Sequence, residues 1–339
     1  MIVATNVQLY RCVSGYVYNS LFGKPRTTVH TSRAMGSSSQ LYRVNASGVL
    51  NSKQLDAFAS TGILDLGVVL VGEELAFYQQ LFEASKVRFA QWWKDGVYVY
   101  QRANYDAVFT QPEWDGLIRH PKILPLVEAL LGAPVCLGEN SLREMGPTGL
   151  DHPGHTDWHR DGPGVRDGPR AHPLHLRFIQ MMVYLSDVDE STHCISFAPE
   201  PLRDSNYAEA DEQQVLARSS GPHHLHGRAG TIALFSSATV HTVNTRATLS
   251  TRKSVQIYYG FAHEPPMTHD YDSLLPPIFW RDSADAKTRR FYGNLNSRTR
   301  EYMEHGSVAV GNERPMRGPD YGDSAPPPRL SARRAAARL

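Results

Sequence analysis

The residues of this chain best equipped for chemistry are His159, Arg160 and Asp161 in succession, His241 far downstream, and Arg252 beyond it. In an extended segment, residues two apart point to one face, so the His159 imidazole and the Asp161 carboxylate can reach one ion while Arg160 points away. His241 would complete a set of two imidazoles and one carboxylate. On one face of an octahedral ion that set leaves the opposite positions open, as non-haem Fe(II) oxygenases require for a co-substrate and dioxygen.

Other readings of the same residues stay open at this level. His155-Thr156-Asp157-Trp158-His159 has the H-x-x-x-H spacing of helical zinc sites. It lacks their glutamate base, and Pro153, Gly154, Gly162, Pro163 and Gly164 argue against a helix there. A His-Arg-Asp triplet can also be a carboxylate orienting a core histidine or pairing with a surface arginine, and the 15 histidines make chance groupings easy. Arg252 opens a strand, and its planar fork suits bidentate binding of a carboxylate. That carboxylate could belong to a ligand or to the fold. His223, His224 and His226 read as a pocket rim or exposed edge, because 223 and 226 fall on opposite strand faces.

The elements that must position these residues are legible from periodicity and punctuation. Asn51 can cap a helix that ends before Gly62, and Ile63 to Leu70 reads as a short buried strand. A longer helix follows from about Gly72 to Trp93, with Leu75, Tyr78, Phe82, Ser85, Phe89 and Trp92 as its core stripe. Pro112 and Pro121 each suit a first helical turn, and Ile123, Leu124, Val127, Leu130 and Leu131 form a buried face that stops at Gly132. Strands then follow near 135–143, 156–161, 176–186, 193–198, 223–226, 230–236, 240–244 and 252–261. That succession predicts an antiparallel sandwich or barrel covered by the helical layer. A hairpin between His241 and Arg252 would bring the two together. If Arg252 points inward, Ser254, Gln256 and Tyr258 share its face while Val255, Ile257 and Tyr259 face outward. A polar inner face fits a cavity lining better than a packed core. Substrate-pocket candidates are Gln256 and Tyr258 on that strand, Asn140 and Arg143 on the strand before the metal motif, and Gln180 with Tyr184 on the next long strand.

Composition limits what such a site can serve. The 35 Lys plus Arg against 34 Asp plus Glu leave no basic field for nucleic acid. No apolar run approaches the roughly eighteen residues of a membrane span. Cys12, Cys136 and Cys194 are an odd number without C-x-x-C spacing, which suits a reducing, intracellular setting. Residues 1–45 read as a leader without acidic residues, of transit-segment type. Residues 46–312 read as the main domain, with a Pro-rich wrap after 264 and a charged helix over 281–305 anchored by Phe291 and Tyr302. Residues 313–339 read as a Pro/Arg/Ala-rich disordered tail. Ala337-Arg338-Leu339 has the form of a peroxisomal address, so peroxisome, another organelle and cytoplasm are all expectations of location.

Taken in order, these pieces resemble the phytanoyl-CoA dioxygenase family of Fe(II)/2-oxoglutarate oxygenases. The likeness covers about residues 50 to 262. It rests on Trp158-His159-Arg160-Asp161, Met182 to Asp189, Phe197-Ala198-Pro199-Glu200, Gly230 to Phe235, His241 with Asn244, and Arg252. The resemblance implies a mainly β fold with a helical layer around a double-stranded β-helix. It also implies iron held by His159, Asp161 and His241, and 2-oxoglutarate whose distal carboxylate pairs with Arg252. The chemistry implied consumes O₂, releases succinate and CO₂, and oxidises an unactivated C–H bond of a small-molecule substrate, with ascorbate as a supporting reductant. An intact Asp161 favours hydroxylation over halogenation. Two positions depart from the family. Cys194 stands where a Gly is usual, and the Pro-Gly-Ser-His ending is reduced to Pro199-Glu200-Pro201; neither touches the metal ligands, but both leave an acyl-CoA substrate unsupported. A non-catalytic β-helix protein that keeps the pocket for binding is the alternative.

Overall fold

Apolar helices come first along the chain, and the strands that they cover follow. A computed structural model describes residues 42–43, 50, 52–95, 100–149, 158–161, 174, 176–202, 211–219, 221–244, 247–264, 266 and 272–307. The leader before position 42, the Asn51 cap, the His155 to Asp157 stretch, and the tail with its last tripeptide lie outside these residues. The first part of the chain contains β1 (Tyr42–Arg43), α1 (Ser52–Thr61), β2 (Ile63–Val68), α2 (Gly72–Arg88), β3 (Lys94–Asp95), β4 (Gln101–Asn104), α3 (Ala107–Thr110), α4 (Asp115–Ile118) and α5 (Leu124–Leu131). Then come β5 (Val135–Met145), β6 (Ile179–Tyr184), β7 (Cys194–Ala198), α6 (Glu212–Arg218), β8 (His223–Leu225), β9 (Thr231–Ser236), β10 (Val240–Asn244) and β11 (Arg252–Phe261). The chain closes with α7 (Pro277–Trp280), α8 (Ala286–Tyr292) and α9 (Ser297–His305).

The strands form two sheets. The larger runs β1-β2-β9-β6-β11-β5-β4-β3 and the smaller β10-β7-β8. All pairings are antiparallel except β1 with β2, where Tyr42 and Arg43 add to the sheet within the segment read as a leader. β11 is central, flanked by β5 and β6. Its outward residues Val255, Ile257 and Tyr259 join the main core with Leu81, Phe82, Trp114, Val127 and Leu130 of the helical layer, as alternation predicts. A second apolar cluster, including Met182, Ile195, Phe197, Leu225 and Phe235, fills part of the space between the sheets.

Several expectations shift. The long helix stops at Arg88 because Phe89 leaves helical geometry (φ −127°, ψ 35°), and a 3₁₀ turn carries Ala90–Trp92. Pro121 lies in a turn, and it is Pro125 that sits in the first turn of α5. The charged helix over 281–305 is two helices, since Asn296 accepts from the Thr299 N–H and caps α9 anew. Around the metal motif only His159 has strand-type pairing among the described residues. His241 and Arg252 are not joined by a hairpin: β10 pairs with β7 in one sheet and β11 with β5 and β6 in the other, so the link crosses between sheets. Burial drives this, because each strand keeps an apolar face only by sitting in a different layer.

Gly62 ties α1 to the edge of the future site. Its φ is +74°, its carbonyl accepts from the Ser236 N–H and the Thr239 hydroxyl, and a Cβ there would lie 2.1 Å from Thr239 Oγ1. Left-handed backbone and close approach both demand glycine. Gly62→Ala should therefore destabilise the protein by about 2 kcal/mol or more, read as a lower midpoint in chemical denaturation.

Candidate metal centre

The site is built on the free edge of β10. His159 and His241 exchange both main-chain hydrogen bonds, His159 N–H to His241 O at 3.0 Å and the reverse at 2.9 Å. Directly opposed residues of an antiparallel pair project to one face, and here the imidazole centroids lie 4.6 Å apart. The Asp161 N–H donates to Ser237 O at 2.8 Å, holding the segment extended. The Asp161 side chain thus falls on the histidine face. Its two oxygens lie 3.4 Å from His159 Nε2 and 3.3 Å from His241 Nε2, and one ligand atom from each residue falls within 4.8 Å of the others.

Neighbouring groups set the protonation and orientation of these side chains. His241 Nδ1 lies 2.9 Å from the Thr239 carbonyl. A carbonyl only accepts, so Nδ1 carries a proton, which leaves Nε2, turned toward Asp161, as the atom available to a metal. The Tyr258 hydroxyl donates to Asp161 Oδ2 at 2.5 Å. Burial alone would raise the Asp161 pKa, but His241 and His159 outweigh it and hold the carboxyl well below its usual range. Burial and the Asp161 charge push Tyr258 the other way, so it stays a donor. Two imidazoles and a carboxylate on one face fit a divalent transition metal.

Arg160 points away, as alternation requires, into a fork on Glu200: Nη1 to Oε2 at 2.6 Å and Nη2 to Oε1 at 3.0 Å, with a further bond from Nη1 to Ala238 O. The sequence alone presents Pro199-Glu200-Pro201 as a departure that leaves the ligands untouched. Glu200 is in fact the anchor of the residue between them. An arginine forced to the far side of a ligand segment needs an acidic partner, and the unusual Pro199-Glu200-Pro201 supplies one.

Arg252 is fully buried on the inner face of the large sheet. Its Nη1 donates to His193 O at 3.4 Å and its Nη2 to Met145 Sδ at 2.8 Å, while Nε has no hydrogen-bond partner. Burial works against its charge, and Tyr184 and Cys194 favour it. No carboxylate pairs with it among the described residues. Of the alternatives that sequence left open for this arginine, an internal carboxylate is thus not what these residues provide.

Register places the remaining candidates. Ser254 lies opposite Arg143 and Tyr184, Gln256 opposite Ser141 and Met182, and Tyr258 opposite Glu139 and Gln180. Arg143, Gln180, Tyr184, Gln256 and Tyr258 therefore share the inner face. Asn140 does not: it pairs with Ile257 and faces the helical layer, where its main chain meets the Ser273 hydroxyl. Counting in twos from Arg143 would have found Ser141 and Glu139 and excluded Asn140. Arg143 lies 3.6 Å from Glu139 and over the Tyr105 ring. The Tyr184 hydroxyl bonds Leu225 O and the Ile195 N–H, which makes it a tie between sheets. His223 and His224 are on the edge strand β8, and His224 Nδ1 lies 2.7 Å from the Ser196 hydroxyl.

Known proteins resemble this chain in fold and in part of its sequence. Residues 60–254 match the family model described as phytanoyl-CoA dioxygenase (PhyH). No curated protein matches on sequence. Among solved structures, the non-heme alpha-ketoglutarate-dependent carbocyclase SnoK from nogalamycin biosynthesis has a TM-score of 0.52 at 17% identity, covering 63% of this chain and 85% of that one. EctD from S. alaskensis, in its apo form, has a TM-score of 0.51 at 17% identity, covering 66% and 84%. HygX from Streptomyces hygroscopicus, with nickel and 2-oxoglutarate bound, has a TM-score of 0.47 at 17% identity, covering 64% and 89%. The first two likenesses bear on the fold, a mainly antiparallel jelly-roll core with helices. The family match spans more than half of the chain and takes in His159, Asp161, His241 and Arg252. The chain belongs to the phytanoyl-CoA dioxygenase family, of the Fe(II)/2-oxoglutarate-dependent oxygenase type.

Proposed function

We propose that the protein is an Fe(II)- and 2-oxoglutarate-dependent dioxygenase that hydroxylates an unactivated C–H bond of a small metabolite or acyl-type substrate. One observation carries the reading: a two-histidine, one-carboxylate face and a buried guanidinium with no carboxylate partner among the described residues look into one interior from opposite sheets. His159, Asp161 and His241 would hold the iron, and Arg252 the distal carboxylate of 2-oxoglutarate. When bound, the iron and its co-substrate couple oxidative decarboxylation, giving succinate and CO₂, to oxygenation of a C–H bond.

The residues of the chain orient these partners and keep water out. Thr239 fixes the His241 tautomer, Tyr258 holds Asp161 in one rotamer, and the Arg160–Glu200 fork anchors the strand between two ligands. Phe197 and Phe235, with ring centroids 6.3 and 5.2 Å from that of His241, shield it on one side. Burial of Arg252 away from water strengthens its attraction for an incoming carboxylate. With Asp161 present, the three residues would leave no protein-vacated place for a halide, which supports hydroxylation over halogenation.

Purified protein with Fe(II), ascorbate and 2-oxoglutarate should release succinate, and His159→Ala or Asp161→Ala should abolish that release. Turnover that survives either change would sink the enzyme reading, and 2-oxoglutarate binding without succinate would favour a protein that only binds. Arg252→Met should weaken 2-oxoglutarate by about 30–150-fold, corresponding to about 2–3 kcal/mol, with little effect on metal binding. Because it removes an uncompensated buried charge, the same change should raise the Tm of the ligand-free protein. Glu200→Ala strands Arg160 and should cost about 3 kcal/mol of stability together with a loss of metal affinity, measured by denaturation and metal titration.

A further inference from the structure

The inner face of the large sheet carries two carboxamides whose oxygens meet no hydrogen-bond partner among the described residues. Gln256 lies between Arg252 and Tyr258 in the alternation of β11, and Gln180 lies beside Tyr258 on β6. They are 4% and 1% exposed, and the side-chain oxygen of each is buried without a hydrogen-bond partner. Leaving a buried amide unpaired costs stability, and here two do so on adjacent strands. The same strands supply Met181, Val183, Val255 and Ile257 where packing is the only demand. The amides therefore stand where an apolar residue would serve the fold better.

The charges on this face narrow what the amides await. Arg143 and Glu139, of opposite charge, lie 3.6 Å apart, Asp161 faces the two histidines and the Tyr258 hydroxyl, and Arg252 would answer the co-substrate. Gln180 and Gln256 are neutral, and each amide offers both a donor and an acceptor. Their place beside Tyr258, whose hydroxyl touches Asp161, puts them next to the metal residues. We propose that Gln180 and Gln256 form a hydrogen-bonding subsite for a neutral hydroxylated group of the substrate, polyol- or glycoside-like, held beside the metal. A hydroxyl both donates and accepts, which the amides can answer. An acyl chain would leave both unpaired, and a site built to bond a hydroxyl rejects the analogue without it. The inference rests on the oxygenase reading and names its substrate class.

The test uses the full chain, as wild type and as Gln180→Leu and Gln256→Leu. Three readouts are taken: 2-oxoglutarate affinity in the presence of Mn(II), Tm, and succinate release with Fe(II) in the presence of neutral polyols, methyl glycosides or a medium-chain acyl-CoA. In wild type, hydroxylated compounds should stimulate release more than the acyl-CoA, and each leucine variant should lose that stimulation by about tenfold or more. Affinity for 2-oxoglutarate should stay within about twofold, and Tm should hold or rise by about 2 °C. A Tm that falls by several degrees would make the amides structural and overturn the proposal. So would a tenfold weaker 2-oxoglutarate affinity, which would assign them to the co-substrate. Stimulation by acyl-CoA equal to or above that of every hydroxylated compound, or none by any of them, also overturns it. Failure of the wild type to bind 2-oxoglutarate with metal would instead defeat the oxygenase reading itself.

Discussion

Two reciprocal main-chain hydrogen bonds between His159 and His241 are the constraint on which the rest of the site depends. They extend the small sheet beyond β10 and oblige both imidazoles to leave it on the same side. Everything else follows from alternation. Asp161, two residues on, must join that side, and Arg160 must leave by the other, where Glu200 and Ala238 O receive it. One extended segment thus serves two ends, with the candidate metal ligands on its inner face and an ionic anchor on its outer face. A fork on Glu200 resists the rotation that would undo the alignment of the ligands.

The interior behind this segment is costly for the fold. A buried guanidinium without a counter-charge costs several kcal/mol, and each unpaired buried amide about 1–3 kcal/mol more. Burying a large apolar side chain returns about 1.5–3 kcal/mol, so a handful of residues in the outer core, such as Phe82, Trp114 and Tyr259, offsets the deficit. That explains the division of labour along β11. One face of the strand is packed against helices, and the other is buried and polar, turned toward the small sheet.

The C-terminal helices reinforce that division from outside the family match. Arg298 forks onto Asp106 with both distances at 3.0 Å, and Asp106 also accepts from the Leu274 N–H. The Ser273 hydroxyl bonds the main chain at Asn140 and Tyr105. This wrap fastens the helical side of β5, and so holds fixed the strand whose inner face carries Arg143 and Glu139. Asn140, polar in a strand near the site, takes part in this fastening side of the strand rather than in the pocket.

Much of the architecture is legible in the sequence, because it depends on local rules. Period-two runs marked β5 to β11 closely, Gly62 and Gly132 marked helix ends, and the parity of Arg252, Ser254, Gln256 and Tyr258 matched the inner face. The composition of the triad and the retained Asp161 were likewise present in the residues alone. What sequence could not decide was partnership across space. Whether Arg252 had an internal carboxylate, that Glu200 would receive Arg160, that Thr239 would set the tautomer of His241, and that His241 and Arg252 stand on opposite sheets all depend on which strands face one another. Strand pairing is a long-range choice, made by burying apolar faces together, and no local pattern encodes its partner. The chain specified its ligands by type and spacing, and only the tertiary packing decided what surrounds them.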